Sequence, residues 1–142
     1  MVKLEIVDVD VGDDYTEILC RDEAGYYYKF STDPSKGKLL SLLVNDVYLP
    51  SNTIYELFIN LVGAFNAYIH SIIIIDGYKD QAVVNIATGN EIQSIPISIS
   101  DALILALLSN TDIYIKKQAC LLEFENLEQY VWYRLLKELD LC

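Results

Sequence analysis

Apolar positions change phase and period several times along this chain, and the changes divide it into elements. Residues 2–11, VKLEIVDVDV, alternate with a period of two, but Val2, Leu4 and Ile6 hold even positions while Val7, Val9 and Val11 hold odd ones. Successive strand side chains point to opposite faces, so the slip predicts a bulge near Ile6-Val7 or a strand buried on both faces. Gly12-Asp13-Asp14 makes a turn. Tyr15 to Arg21 and Tyr26 to Ser31 read as strands joined by the short loop Asp22-Glu23-Ala24-Gly25.

The period then lengthens. Thr32-Asp33-Pro34 opens a helix with a capping residue and a proline at the first helical position, and Leu39, Leu40, Leu42 and Leu43 supply its apolar face. Thr53-Ile54-Tyr55-Glu56 is a T-x-x-E capping box for a second helix, which carries Leu57, Phe58, Leu61 and Val62 and is expected to stop at Gly63. Tyr68 to Asp76 is a β-branched central strand. The turns Asp76-Gly77-Tyr78-Lys79-Asp80 and Gly89-Asn90 connect it to strands Ala82 to Thr88 and Glu91 to Ser98.

Residues 94–108, SIPISISDALILALL, begin as a half-buried strand and become a helix at Ile99, ending near Asn110; Ile113-Tyr114-Ile115 is a further short strand. Leu127, Val131, Leu135 and Leu139 then recur every fourth residue among charges of mixed sign, the pattern of an amphipathic helix. These elements predict an α+β fold: a mostly antiparallel sheet with helices packed on it over residues 1–122. A C-terminal helix, 123–142, is added, packed on the domain or at a dimer interface.

Composition narrows the functional classes. The 142 residues are 53% hydrophobic, enough for a sizeable core, yet no apolar run approaches the ~20 residues that span a bilayer. The N-terminal residues show no apolar targeting segment, and the mixed charges of the terminal helix argue against membrane binding, so a cytoplasmic protein is expected. A net charge of −11 disfavours nucleic acid, whose binding rests on Lys and Arg neutralising phosphates. Cys20, Cys120 and Cys142 are odd in number and lack C-x-x-C spacing, which argues against a disulfide framework and a zinc site. The abundance of aliphatic and aromatic residues suggests more apolar surface than one small domain hides, and hence a homodimer.

Candidate chemistry is sparse. Asp8, Asp10, Asp13 and Asp14 form the densest acidic cluster, either a Mg²⁺ or Ca²⁺ site or a solvated strand edge. His70 is the single histidine, without a Ser or Cys motif to activate. Tyr26-Tyr27-Tyr28 offers either a base-stacking platform or core packing. Lys36-Gly37-Lys38 and Lys116-Lys117 are basic doublets suited to a small anionic pocket.

The order of elements, with three segments, resembles the bifunctional nuclease domain family over roughly residues 2–122. Ser100-Asp101-Ala102-Leu103-Ile104-Leu105-Ala106-Leu107 followed by Ile113-Tyr114-Ile115 is similar to that family's R-P-S-D-A helix and P-I-Y-V strand. Tyr28 to Leu43, with Asp33-Pro34, corresponds to its I-G-P-x-E-A region, and Leu49-Pro50 through Gly63-Ala64 to its R-P-x-T-H-D-L helix ending in L-G-A. The resemblance implies a dimeric nuclease that hydrolyses DNA or RNA with a divalent cation such as Mg²⁺. On matching positions it implies Asp101 and Glu56 as catalytic carboxylates, Asp76 and Asp101 as metal ligands, and Ser100 as a binding residue; Lys36 and Lys38 join as binding candidates from their basic doublet.

Several polar positions depart from the family pattern. The Arg-Pro before Ser-Asp is Ser98-Ile99, the Glu after Gly-Pro is Lys36, and His-Asp is Tyr55-Glu56. Two readings of the corner follow. In one, Ser98 caps the helix and Asp101, at its third position, closes an S-x-x-D box and favours the positive helix end. In the other, Asp101 joins Glu56 and Asp76 around cations that polarise a phosphodiester. The corresponding functions are a metal-assisted nuclease and a non-catalytic homodimeric binding module that keeps the fold.

Overall fold

Backbone pairing in the computed structural model follows the alternation just described. It describes residues 1–47, 53–116 and 122–124, with Val131, Trp132, Leu135, Leu136 and Leu139 beyond them. Strands β1 (Val2–Val11), β2 (Thr16–Asp22) and β3 (Tyr27–Thr32) form an antiparallel meander. The register of β1 against β2 slips between Ile6 and Asp8, the bulge that the phase change predicts. Helices α1 (Pro34–Val44) and α2 (Ile54–Ala64) come next, followed by a second meander, β4 (Ala67–Asp76), β5 (Gln81–Thr88) and β6 (Glu91–Ile97).

Helix α3 (Ile99–Ser109) carries the chain from the outer strand β6 back to β7 (Ile113–Ile115), which lies parallel to β4 and antiparallel to β1 and so joins the two meanders. With β8 (Leu122–Phe124) beside β3, the result is an eight-stranded sheet in the order β6-β5-β4-β7-β1-β2-β3-β8. The fold is α+β, with helices packed on a mostly antiparallel sheet. No helix among the described residues is long and apolar enough to cross a membrane.

The core lies between the sheet and α3. Ile18, Ile72, Ile74 and Ile115 from the sheet and Leu103 and Ile104 from α3 are fully buried. Each aliphatic side chain withdrawn from water this way stabilises the fold by about 1.5–3 kcal/mol. Tyr27 and Tyr28 are buried too, which makes them packing residues, and the Tyr28 hydroxyl donates to Asp22 at 2.9 Å.

Four particulars differ from the sequence expectation. Helix α2 runs through Gly63 to Ala64; the residue that leaves the helical path is Asn66, at φ 58°, an amide side chain that tolerates the left-handed region. Strand β6 is more exposed than expected: of its residues only Ile97 is partly buried, and β6 is an edge with one neighbour. Strand β8 is not among the predicted elements and crosses the boundary between residues 122 and 123, where the terminal helix is expected to begin. That helix, 123–142, falls mostly outside the described residues, although Val131, Trp132, Leu135 and Leu136 within it are helical.

Candidate functional site

The corner between β6 and α3 is built as a cap. Ser98 has extended geometry (φ −68°, ψ 154°), its carbonyl accepts from Ala102 N at 3.0 Å, and its Oγ accepts from Asp101 N at 3.4 Å. The same hydroxyl donates to Asp101 Oδ2 at 2.8 Å, so Ser98 and Asp101 hold each other. A second carboxylate completes the cap: Ile99 N donates to Asp80 Oδ1 at 3.0 Å. Asp80 lies in the β4–β5 turn at φ 52° and was missed from sequence; it reads there as a turn residue, and nothing local marks its long-range partner.

Asp101 does more than cap its own helix. Tyr55, in the first turn of α2, donates its hydroxyl to Asp101 Oδ1 at 2.5 Å. Lys36, in the first turn of α1, places Nζ 3.1 Å from the same oxygen. The N-terminal turns of α1, α2 and α3 therefore meet at one carboxylate. Helix N-termini carry partial positive charge, and Lys36 adds a full one, so the anion sits where the field favours it. Partial burial works to raise the Asp101 pKa, but the hydrogen bonds from Tyr55, Ser98 and Lys36, with the Lys36 charge, outweigh it and hold the carboxyl below the usual value. Burial first, and then the hydrogen bond to Asp101, raises the Tyr55 phenol well above its ordinary value.

The other expected carboxylates have separate local duties. Glu56 closes the α2 capping box: its backbone N donates to Thr53 Oγ1 at 3.3 Å, and its carboxylate accepts from the same hydroxyl at 3.5 Å. Asp76 Oδ1 accepts from Tyr78 N at 2.9 Å and Lys79 N at 3.2 Å, closing the β4–β5 turn. Among the described residues, no three or more His, Cys, Asp or Glu side chains are grouped so that they could hold a metal ion. Asp101, Glu56 and Asp76 are accordingly not brought together into one such group.

Of the expected binding residues, only Lys36 faces the corner. Ser100 is buried in the core side of α3, and Lys38 is exposed on α1. Gly37, between the two lysines, is pressed against the Thr16 side chain. His70 is exposed, with Nδ1 3.1 Å from Ser71 Oγ; Ser71 in turn accepts from Asn85 Nδ2 at 3.0 Å.

Beside Asp101 opens a groove of about 210 Å³, walled by Ile54, Tyr55 and Phe58 of α2, Ile95 and Ile97 of β6, and Leu105 of α3. Its walls are apolar, and its polar end is the Asp101–Tyr55 pair. Such a groove fits an apolar side chain better than a phosphodiester. No described protein family matches the chain, and no curated protein is significantly similar to it in sequence.

Proposed function

We propose that the protein is a non-catalytic, self-associating binding module, built on a framework like that of the bifunctional nuclease domains but without their chemistry. The observation that supports this is the commitment of Asp101. Its Oδ1 accepts from Tyr55 and Lys36, and its Oδ2 accepts from Ser98. A carboxylate that ligates a divalent cation must offer those lone pairs to the ion. An ammonium 3.1 Å from Oδ1 already occupies the place of a positive charge. The net charge of −11 further opposes a polyanionic substrate.

The metal-assisted nuclease, with Asp101, Glu56 and Asp76 as its carboxylates, is the contrasting reading; it requires all three to abandon their present partners. Self-association is supported by the uncovered apolar surface of α2. A cytoplasmic location suits an odd set of three cysteines, which stay reduced there. Calorimetric titration with Mg²⁺ and Mn²⁺ tests the reading: wild type and Asp101→Asn should behave alike, with no saturable uptake that depends on Asp101. Uptake that disappears in Asp101→Asn would overturn it.

A further inference from the structure

One dipeptide in the chain carries a reaction of its own. An aspartate followed by glycine closes readily into a cyclic imide. The five-membered ring joins the side-chain carbon to the next backbone nitrogen, and glycine puts no side chain in the way of that close approach. Asp76-Gly77, at the start of the β4–β5 turn, is the only place where Asp or Asn precedes Gly.

The turn holds the reacting groups in position. Asp76 Oδ1 accepts from Tyr78 N at 2.9 Å and Lys79 N at 3.2 Å, which folds the carboxylate back over the Gly77 peptide. Both bonds start from residues after Gly77 and leave the Gly77 N–H out of them. They also aim two donors at the oxygen that turns negative when nitrogen adds to Cγ, an arrangement that stabilises a tetrahedral oxyanion. Oδ2 takes part in neither bond and is the oxygen free to leave. Gly77 borders a cleft of about 430 Å³ shared with Tyr78, Asp80 and Ile99, so water reaches the ring.

We infer that Asp76 is a self-modification site, converting to isoaspartate in the folded protein, and that the conversion releases α3 from Asp80. Gly77 N bonds to Asp76 Cγ, and Oδ2 departs as water with the Gly77 amide proton and one proton from solvent. Water then opens the imide. Attack at the former main-chain carbonyl leaves the chain running through Cγ, one methylene longer, with that carbonyl now a free carboxylate. Water is the only co-reactant.

The change reaches α3. An extra methylene breaks the turn that Oδ1 closes and displaces Asp80, four residues on. The left-handed backbone of Asp80 (φ 52°) aims its Oδ1 at Ile99 N, 3.0 Å away. Ile99 N belongs to the first turn of α3, whose amides have no partner inside the helix. Losing Asp80 therefore opens that end of α3 to solvent.

The full chain would be incubated warm at neutral pH for several weeks, beside a sample held unfolded in guanidinium chloride. Peptides spanning residue 76 would then be fragmented by electron transfer, which separates isoaspartate from aspartate at equal mass. Isoaspartate should accumulate at position 76 of the folded chain, preceded by a species one water lighter. Asp76→Ser, which still closes the turn but cannot form the imide, should lose the signal. Gly77→Ala should slow it severalfold; Gly77 is not in the left-handed region, so alanine suits its backbone. Isomerised protein, isolated by chromatography, should exchange its Ile99 amide hydrogen faster and melt lower than fresh protein. Isoaspartate confined to the unfolded sample, or absent from both, overturns the site. Isoaspartate with Ile99 as protected as before overturns the release of α3.

Discussion

Replacing Asp101 by Ala removes the one group to which three helices are tied, and the loss can be built up from its contacts. The reciprocal cap with Ser98 is worth ~1 kcal/mol. The Tyr55 hydroxyl loses a hydrogen bond to an ionised acceptor, a contribution of about 1.5 kcal/mol. The ion pair with Lys36 is partly solvated, with the two side chains 35% and 28% exposed, and adds only ~0.5 kcal/mol. The expected destabilisation is therefore about 3 kcal/mol, which in a chain of this size lowers Tm by roughly 10 °C. Urea unfolding would give the free energy and differential scanning calorimetry the Tm.

The stabilisation should also depend on pH in a defined direction. The folded Asp101 carboxyl titrates below its unfolded value of ~3.9, so its contribution is fully present above that pH and fades as pH falls through the folded value. The stability gap between wild type and Asp101→Asn should hold near neutrality and shrink under acid. A gap near zero at pH 7, or one that persists unchanged at pH 2, would refute the assignment of Asp101 as an ionised hub.

Other expectations follow from single contacts. Tyr55 has a raised folded pKa, so its share of stability is present below the unfolded value of ~10 and is lost as pH rises beyond it; alkaline titration of unfolding should show this loss in wild type and not in Tyr55→Phe. Gly37→Ala places a methyl within 2.7 Å of Thr16 Cγ2, in a fully buried contact, and should cost about 1–3 kcal/mol by urea unfolding. Asp80→Ala leaves Ile99 N without its carboxylate and should cost ~1 kcal/mol in the same assay, comparable with Ser98→Ala.

What could be read from the sequence was local. Asp33 caps its helix beside the proline that opens it, and Thr53 and Ser98 cap theirs as their spacings to Glu56 and Asp101 indicate, because a cap bonds a backbone N–H only three residues on. The bulge in β1 was visible because a one-residue slip inverts every later side chain. The convergence at Asp101 was not visible. Tyr55 lies 46 residues away, and each partner has a sufficient local role. Only the docking of α2 against α3 brings the Tyr55 hydroxyl onto that carboxylate. The exposure of β6 was hidden for a similar reason: its alternation is that of a strand with one covered face, and only its place at the sheet edge removes the cover.

The most direct test of a structural rather than catalytic Asp101 is a cleavage assay on single-stranded DNA, duplex DNA and RNA. It would include Mg²⁺, Mn²⁺ or EDTA, with Asp101→Asn beside the wild type at a temperature where both are folded. The expected result is no metal-dependent cleavage by either protein, with the variant melting lower. Metal-dependent cutting by the wild type that vanishes in a stably folded Asp101→Asn would contradict it and put hydrolytic chemistry at the corner of β6 and α3.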